Sequence, residues 1–405
     1  MKPLRKFLDR IKPNFEPGGR LSALHSVFDG FETFLYTPHS TSARQGAVHV
    51  HDSVDSKRTM IIVVLALMPC LIMGMYNTGY QHWLACGEAI PGIWPLLWYG
   101  LLAVLPRIVV TYVVGLGIEF IVAQVRREEI QEGFLVTGIL IPLICPIETP
   151  LWMIAVATAF SVIFVKEVFG GTGYNIFNVA LVARAVLFFG YPAQMSGDKA
   201  FVATGKMFGF GPVAPDGFTC ATPLGQIATS GGEGGLHLTG IDGSAISAWD
   251  AFIGLIPGSF GETSVLCILI GAAILLLAGI GEWRIMISGV AGALVMGWIA
   301  NSCATPLYPA SYLSPLDQLL FGGFAFAIVF MATDPVTAAR TNTGKWIYGA
   351  LIGVMAVLIR TYNNGYPEGA MLAVLLGNAL APLIDWCVVR ANTRRRMARL
   401  NTSKN

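Results

Sequence analysis

Unbroken apolar stretches such as "TMIIVVLALMPCLIMGMY" at 59–76 and "SVLCILIGAAILLLAGI" at 264–280 constrain this chain more than any other feature. Each is near the roughly 20 residues an α-helix needs to span a bilayer. Composition agrees: 54% of residues are hydrophobic and only 12% charged, where a soluble chain carries about a quarter. The sequence predicts an all-α polytopic membrane protein.

The net charge of +2 gives no reason to expect a nucleic-acid partner. The first apolar run starts near residue 59, too deep for a secretory signal, so no cleaved targeting peptide is expected. Cysteines 70, 86, 145, 220, 267, 303 and 387 are scattered without a C-x-x-C pair. No zinc or iron–sulfur site built by this chain alone is therefore expected. The histidines (25, 39, 49, 51, 82 and 237) lie outside the apolar runs, which argues against a membrane haem.

Hydropathy places about ten helices, near 59–76, 97–125, 133–147, 151–167, 176–191, 263–281, 285–301, 318–333, 345–361 and 369–390. Pro106 and Arg107 in the second require a kink or an early start. Lys and Arg cluster in the N-terminal arm, at Arg126 and Arg127, Lys166, Arg284, Arg340 and Lys345, and in "RANTRRRMAR" at 390–399. The positive-inside rule then puts both termini in the cytoplasm, which needs an even helix count. The long loop 193–262, with only Lys199 and Lys206, falls outside. "GTGYNIFNVALVARAVL" (171–187) and "NNGYPEGAMLAVLLGNAL" (363–380) both set Gly-Tyr before an apolar helix, each after a helix starting near Trp152 or Trp346. Two five-helix halves with such a repeat must be inverted, an architecture of transporters. The expected organisation is an arm (1–58), a first repeat (59–192), an external loop (193–262), a second repeat (263–391) and a basic tail (392–405).

Ionisable residues at membrane depth are costly and so functional candidates. Arg107, Glu119, Arg184, Asp334, Arg360 and Asp385 lie in or beside spans, with Glu132, Glu148 and Glu368 near helix ends. Arg107, Glu119 and Arg360 are expected to snorkel. Asp334 in "FMATDPVTAAR" and Asp385 in "APLIDWCVV" are read at the ends of apolar helices, where an unpaired carboxylate is expected to serve a cation or a partner charge. "GGTGYNIFN" (170–178) lacks the Gly-Lys-Ser/Thr ending and preceding strand of a nucleoside-triphosphate loop. It can still hold an anion or the polar edge of a ring through Asn175 and Asn178, or be a closely packed turn. "DGFTCATPLGQ" (216–226) is either an ordinary turn with Thr222 before Pro223, or a site where Thr222 carries something.

"FEPGG" (15–19), "DSVDSKR" (52–58), "KEVFGGTGYN" (166–175), "YPAQMSGD" (191–198), "DAFIGLIPGSFGE" (250–262), "FMATDP" (330–335), "NTGKWIYG" (342–349) and "YPEGAMLA" (366–373) occur in order along nearly the whole chain. Together they resemble the B-subunit family of the sodium-translocating NADH:quinone oxidoreductases. The D component of the Rnf complex, a ferredoxin:NAD oxidoreductase, shares the core, but the long arm with "FEPGG" favours the B-subunit family.

The resemblance implies a bacterial inner-membrane protein that passes electrons towards ubiquinone and exports Na⁺. It implies FMN joined by a phosphoester to the last Thr of a Ser/Thr-Gly-Ala-Thr motif. That motif reads Thr219-Cys220-Ala221-Thr222 here, so Thr222 is the implied attachment point, with Asp216 and Ala221 kept. Cys220 replaces the usual Gly, and its bulk raises the question of crowding for the flavin transferase. A noncovalent riboflavin is implied, with Gly171, Asn175 and Asn178 in its vicinity, and Gly133 falls near the quinone. Asp29, Glu132, Asp334, Glu368 and Asp385 resemble positions linked to sodium. Five other subunits (A, C, D, E and F) would bring NADH, FAD, a second covalent FMN and iron–sulfur centres. A passive carrier or a structural scaffold are the competing classes, and neither needs a flavin-acceptor Thr.

Overall fold

The computed structural model describes residues 9–15, 19, 28, 56–126, 133–195, 201–215, 218, 220–230, 238–363, 365–366 and 368–402. Among these residues the chain is helical, with only two isolated β-bridges, Met207 with Phe210 and Thr239 with Ala245. The first half holds α1 (Ser56–Cys86), α2 (Ile93–Arg126), α3 (Phe134–Ile144), α4 (Leu151–Ser161) and α5 (Val179–Gly190). After the loop helix α6 (Pro223–Thr229) come α7 (Val265–Leu277), α8 (Trp283–Ser302), α9 (Asn342–Tyr362) and α10 (Ala370–Thr402). Five of these, α1, α2, α8, α9 and α10, are long and apolar enough to cross a membrane, and α3, α5 and α7 are shorter apolar helices. Large apolar side chains such as Trp98, Val113, Ile121, Trp298 and Val389 face outward, as lipid contact allows. The chain is a polytopic membrane protein.

Helix α1 packs on α2 and α7, and α2 packs on α3 and α4. Helix α4 continues onto α5, α8 packs along α9, α9 along α10, and α10 reaches α5. Helices α8 and α9 approach closely. There a Cβ on Gly349 would meet Ser288 and the Ile285 backbone, and one on Gly292 would lie 2.5 Å from the Ala350 carbonyl. Small residues let membrane helices approach this closely.

Several boundaries differ from the hydropathy reading, each for a visible reason. Helix α1 does not stop near 76 but runs to Cys86, because its polar last turns are used by the loop between α5 and α7. Asn77 Nδ2 donates to the Ile256 carbonyl at 2.9 Å, and His82 Nδ1 lies 2.7 Å from the Ala203 carbonyl while its ring stacks on Tyr99. Helix α2 takes the early start, at Ile93, and continues through Pro106. After α4 the chain widens into a π-helix over Val162–Glu167.

The segment 318–333 is not one helix. A turn at Asp317–Leu320 stops at Gly322 and Gly323, both left-handed (φ 72° and 66°), before a short helix at Phe324–Phe326 and a π-helix at Ala327–Met331. Two consecutive left-handed residues cannot sit inside an α-helix, and glycine adopts that conformation without strain. Helix α10 carries the basic tail as far as Thr402, so Asp385 lies inside a helix and not at its end.

Candidate functional site

The loop "CATPLGQ" presents Thr222 as the N-cap of α6, with Pro223 preset for the first helical position. Thr222 Oγ1 accepts the Gly225 amide at 3.1 Å. Gln226 clamps this turn to the neighbouring strand-like segment. Its Nε2 donates to the Ala221 and Thr239 carbonyls (3.1 and 2.8 Å), and its Oε1 accepts the Thr239 amide at 3.0 Å. Thr222 is half-buried, whereas Cys220 is buried among Ala85, Val202 and Ala214, so its bulk is taken up beneath the loop. Asp216 and Thr219 lie outside the described residues.

Thr222 borders a small cavity of about 20 Å³ whose walls include Ser259, Glu262, Gly323 and Glu368. Arg184 of α5 organises its floor. The guanidinium donates to Glu262 Oε1 at 2.5 Å, to Ser259 Oγ at 3.3 Å and to the Glu368 carboxylate. Arg360 completes the network from α9: it donates to the Gln318 carbonyl at 2.6 Å, to Gly322 at 3.4 Å and to the Glu368 carbonyl at 3.3 Å. Carbonyls freed by the helix break thus find a cation, and two Arg balance two Glu. Burial raises the Glu262 carboxyl above the ordinary range, against the pull of Arg184.

A second cavity, of about 110 Å³, lies between the start of α3, the π-helix after α4, the turn before α5 and the Asp334-Pro335 break. Gly133, Lys166, Thr172, Asn175, Asn178 and Asp334 line it. A Cβ on Gly133 would stand 2.5 Å from Thr172, so this glycine lets α3 approach the turn. Asn178 caps α5, its Oδ1 accepting the Ala180 and Leu181 amides at 3.1 and 3.3 Å. Asn175 Nδ2 donates to the Phe177 carbonyl at 3.0 Å. Thr172 Oγ1 is buried with no hydrogen-bond partner. Lys166 forms an ion pair with Glu119 of α2, both side chains 6% exposed. Lys166 sits in the π-helix Val162–Glu167, a form of helix frequent at functional sites.

Sequence expectations meet this geometry unevenly. Gly133, Asn175, Asn178 and Asp334 come together in one cavity, and Glu368 joins Thr222 at the other. Gly171 (φ 93°) is buried in the turn behind the larger cavity, its amide donating to the Lys166 carbonyl at 3.0 Å. Asp29 and Glu132 lie outside the described residues. Glu148 borders neither cavity; its Oε1 accepts the Thr204 amide at 3.0 Å.

Arg107, Glu119 and Arg360 do not snorkel. All three are buried: Arg107 turns back to the Ala103 carbonyl at 2.5 Å, Glu119 pairs with Lys166, and Arg360 is 1% exposed. Each has a partner inside the protein, which removes the reason to reach for the interface. Nor are Asp334 and Asp385 unpaired. Asp334 accepts the Val336 amide and Thr337 hydroxyl, both at 3.1 Å. Asp385 accepts the Arg340 amide (2.7 Å), the Thr341 amide (3.0 Å) and the Thr341 hydroxyl (2.5 Å) at the start of α9.

Glu262 and Lys166 carry much of the site, yet the sequence does not single them out. Glu262 closes "IPGSFGE" just before an apolar helix, and Lys166 reads as a flanking charge.

The model for the NQR2, RnfD, RnfE family matches residues 43–394. The chain belongs to this family. Among its curated relatives, the B subunit of the Na(+)-translocating NADH-quinone reductase of Azotobacter vinelandii is 44% identical over 418 residues, covering 98% of this chain and 99% of that protein. Proteins of the same name from Pseudomonas aeruginosa and Klebsiella pneumoniae are 42% and 41% identical, with the same coverage. Membership in the NQR2, RnfD, RnfE family therefore extends over both cavities and the Thr222 loop.

Proposed function

We propose that this chain is the flavin-bearing B subunit of a sodium-translocating NADH:quinone oxidoreductase, passing electrons towards ubiquinone while Na⁺ leaves the cytoplasm. The observation that carries this is end-to-end similarity at 41–44% identity to proteins of that name. The D component of an Rnf-type ferredoxin:NAD oxidoreductase is the second reading, since the matching family takes in both. The partners in the first case are the five other subunits (A, C, D, E and F). Copurification with an NADH-oxidising subunit, and not a ferredoxin-dependent one, distinguishes them.

Thr222 is the proposed point of covalent FMN attachment by a flavin transferase. Its residues fit: the hydroxyl is half-buried at a loop edge, Gln226 holds the turn, and Cys220 packs underneath. The larger cavity is proposed to hold riboflavin. Its unpartnered Thr172 hydroxyl, two Asn amides and Lys166 supply polar contacts for a ring edge between apolar walls. Flavins bound at such places would supply electron transfer; the chain's part is to hold and orient them. Gly133, implied near the quinone, lines the same cavity.

The proposed organisation is two inverted five-helix halves, with ten crossings and both termini in the cytoplasm of a bacterial inner membrane. In each half the second helix packs on the fourth and the fourth on the fifth. The contacts of α1 with α7 and of α5 with α10 join equivalent helices across the halves. Sodium is proposed to pass near Asp334 and Glu368, with Asp29 and Glu132 as further carboxylates that the resemblance links to it. Asp385, its oxygens engaged at the start of α9, holds that helix in place along the route.

Replacing Thr222 with Val in the assembled complex tests the reading. The Val chain should lack covalent flavin fluorescence in a denaturing gel; fluorescence that persists would refute the attachment.

A further inference from the structure

Tryptophan and arginine are layered at the end of the molecule where α8 and α9 begin. Trp283, the first residue of α8, meets Trp346 of α9 edge to face at 5.7 Å, and the Arg284 guanidinium lies 5.1 Å over the Trp283 ring. Asp385 fixes α10 at the same level, because its carboxylate accepts the Arg340 and Thr341 amides that lead into α9. Trp386 therefore stands in one belt with Trp283 and Trp346. The three rings are 41–55% exposed. Half-exposed Trp at the ends of membrane helices marks the boundary between hydrocarbon and headgroups.

From that belt α10 continues outward as helix to Thr402. One face carries Leu383, Trp386, Arg390 and Arg394, at the spacing of three and four that stacks side chains along one side of a helix. All four are exposed. From the middle of the membrane outward the order is apolar, aromatic, cationic, cationic, which matches acyl chain, ester region and phosphate in a phospholipid. The Arg390 guanidinium lies 4.9 Å over the Trp386 ring, so it is held against the belt.

This chain does not neutralise the two Arg locally. Residues 386–405 contain no Asp or Glu, and Asp385 is engaged at the start of α9. Among the described residues neither Arg390 nor Arg394 forms an ion pair. Like charges four apart on a helix repel, and a phosphate between them removes the repulsion. The guanidinium fork suits phosphate oxygens. An acidic protein surface would answer the charge but has no use for the bare Leu383 and Trp386 below it; a lipid covers all four.

We propose that Arg390 and Arg394, above Trp386, bind the phosphate headgroup of an anionic phospholipid whose acyl chain lies along Leu383. The lipid braces α10 where it leaves the bilayer, just beyond the Asp385 contacts that hold α9.

The test uses the intact complex in nanodiscs of phosphatidylglycerol and phosphatidylcholine in equal parts. The photoreactive residue p-benzoylphenylalanine takes the place of Cys387, which is exposed beside Trp386. After irradiation, peptide mapping by mass reads which lipid has been captured. Phosphatidylglycerol adducts are expected in excess. Arg390→Gln and Arg394→Gln should each lower that excess about fivefold, the worth of one basic residue near an anionic membrane surface. Arg399→Gln lies nine residues beyond Arg390, on the opposite side of the helix, and should leave the excess unchanged. Equal capture of the two lipids would overturn the site. So would a cross-link to another subunit in place of lipid, or a loss from Arg399→Gln as large as from Arg390→Gln.

Discussion

Arg184 and Glu262, 78 residues apart in sequence, meet at 2.5 Å directly beneath the loop that carries Thr222. Their pairing ties α5 to the turn before α7, and Glu368 extends it to the start of α10. Removing the cation strands two buried carboxylates, which costs about 3–5 kcal/mol for a broken buried pair. Arg184→Met should therefore sharply reduce the amount of assembled complex and lower its melting temperature. Glu262→Gln, which keeps a hydrogen-bond acceptor, should be milder. Wild-type yield and melting from Arg184→Met would show that the network holds nothing together.

Lys166 and Glu119 give a test that separates stability from ligand binding. Lys166→Met alone leaves Glu119 charged and buried, and assembly should fall. In the Lys166→Met, Glu119→Leu double variant an apolar pair replaces the ionic one, which is often neutral or stabilising. Assembly should recover while noncovalent riboflavin stays low, because Lys166 lines the proposed riboflavin cavity. Full riboflavin content in the double variant would remove Lys166 from that site.

Much of the fold is legible in the sequence, and the failures share a cause. Apolar runs of membrane length locate α8 and α9 to within a few residues. They fail where polar residues are satisfied inside the protein. Asn77 and His82 belong to α1 because Ile256 and Ala203 are there to receive them, and those partners lie more than a hundred residues away. Snorkelling is the wrong expectation for Arg107, Glu119 and Arg360 for the same reason. The break at Gly322–Gly323 is hidden in an apolar run, since hydropathy does not register a left-handed backbone. The capped turn at Thr222 and Pro223 is readable because its signal is local; the Glu262 and Lys166 pairings are not, since each depends on a distant partner.

The helix break itself can be challenged. Gly323 has φ 66°, and a Cβ there would lie 2.7 Å from the Glu262 carboxylate. Gly323→Ala should destabilise the complex by about 1–3 kcal/mol, the cost of a strained backbone position. Differential scanning fluorimetry of the purified complex would detect it; an unchanged melting temperature would contradict the local geometry.

Asp385 and Asp334 should separate in a sodium titration of quinone reductase activity, normalised to covalent flavin. Asp385→Ala removes an acceptor for three donors at the start of α9 and should reduce assembly, leaving the sodium concentration for half-maximal rate unchanged in what remains. Asp334→Ala removes a carboxylate from the wall of the larger cavity and should raise that concentration. The opposite pattern would move the sodium route to α10.

The most direct measurement of the central claim is the intact mass of this chain, released by denaturation from the purified complex. An added FMN phosphoryl unit is expected on the wild-type chain, none on Thr222→Val, and its return on Thr222→Ser, which keeps the hydroxyl. An unmodified wild-type chain, or the same added mass on Thr222→Val, would contradict covalent flavin attachment at this threonine.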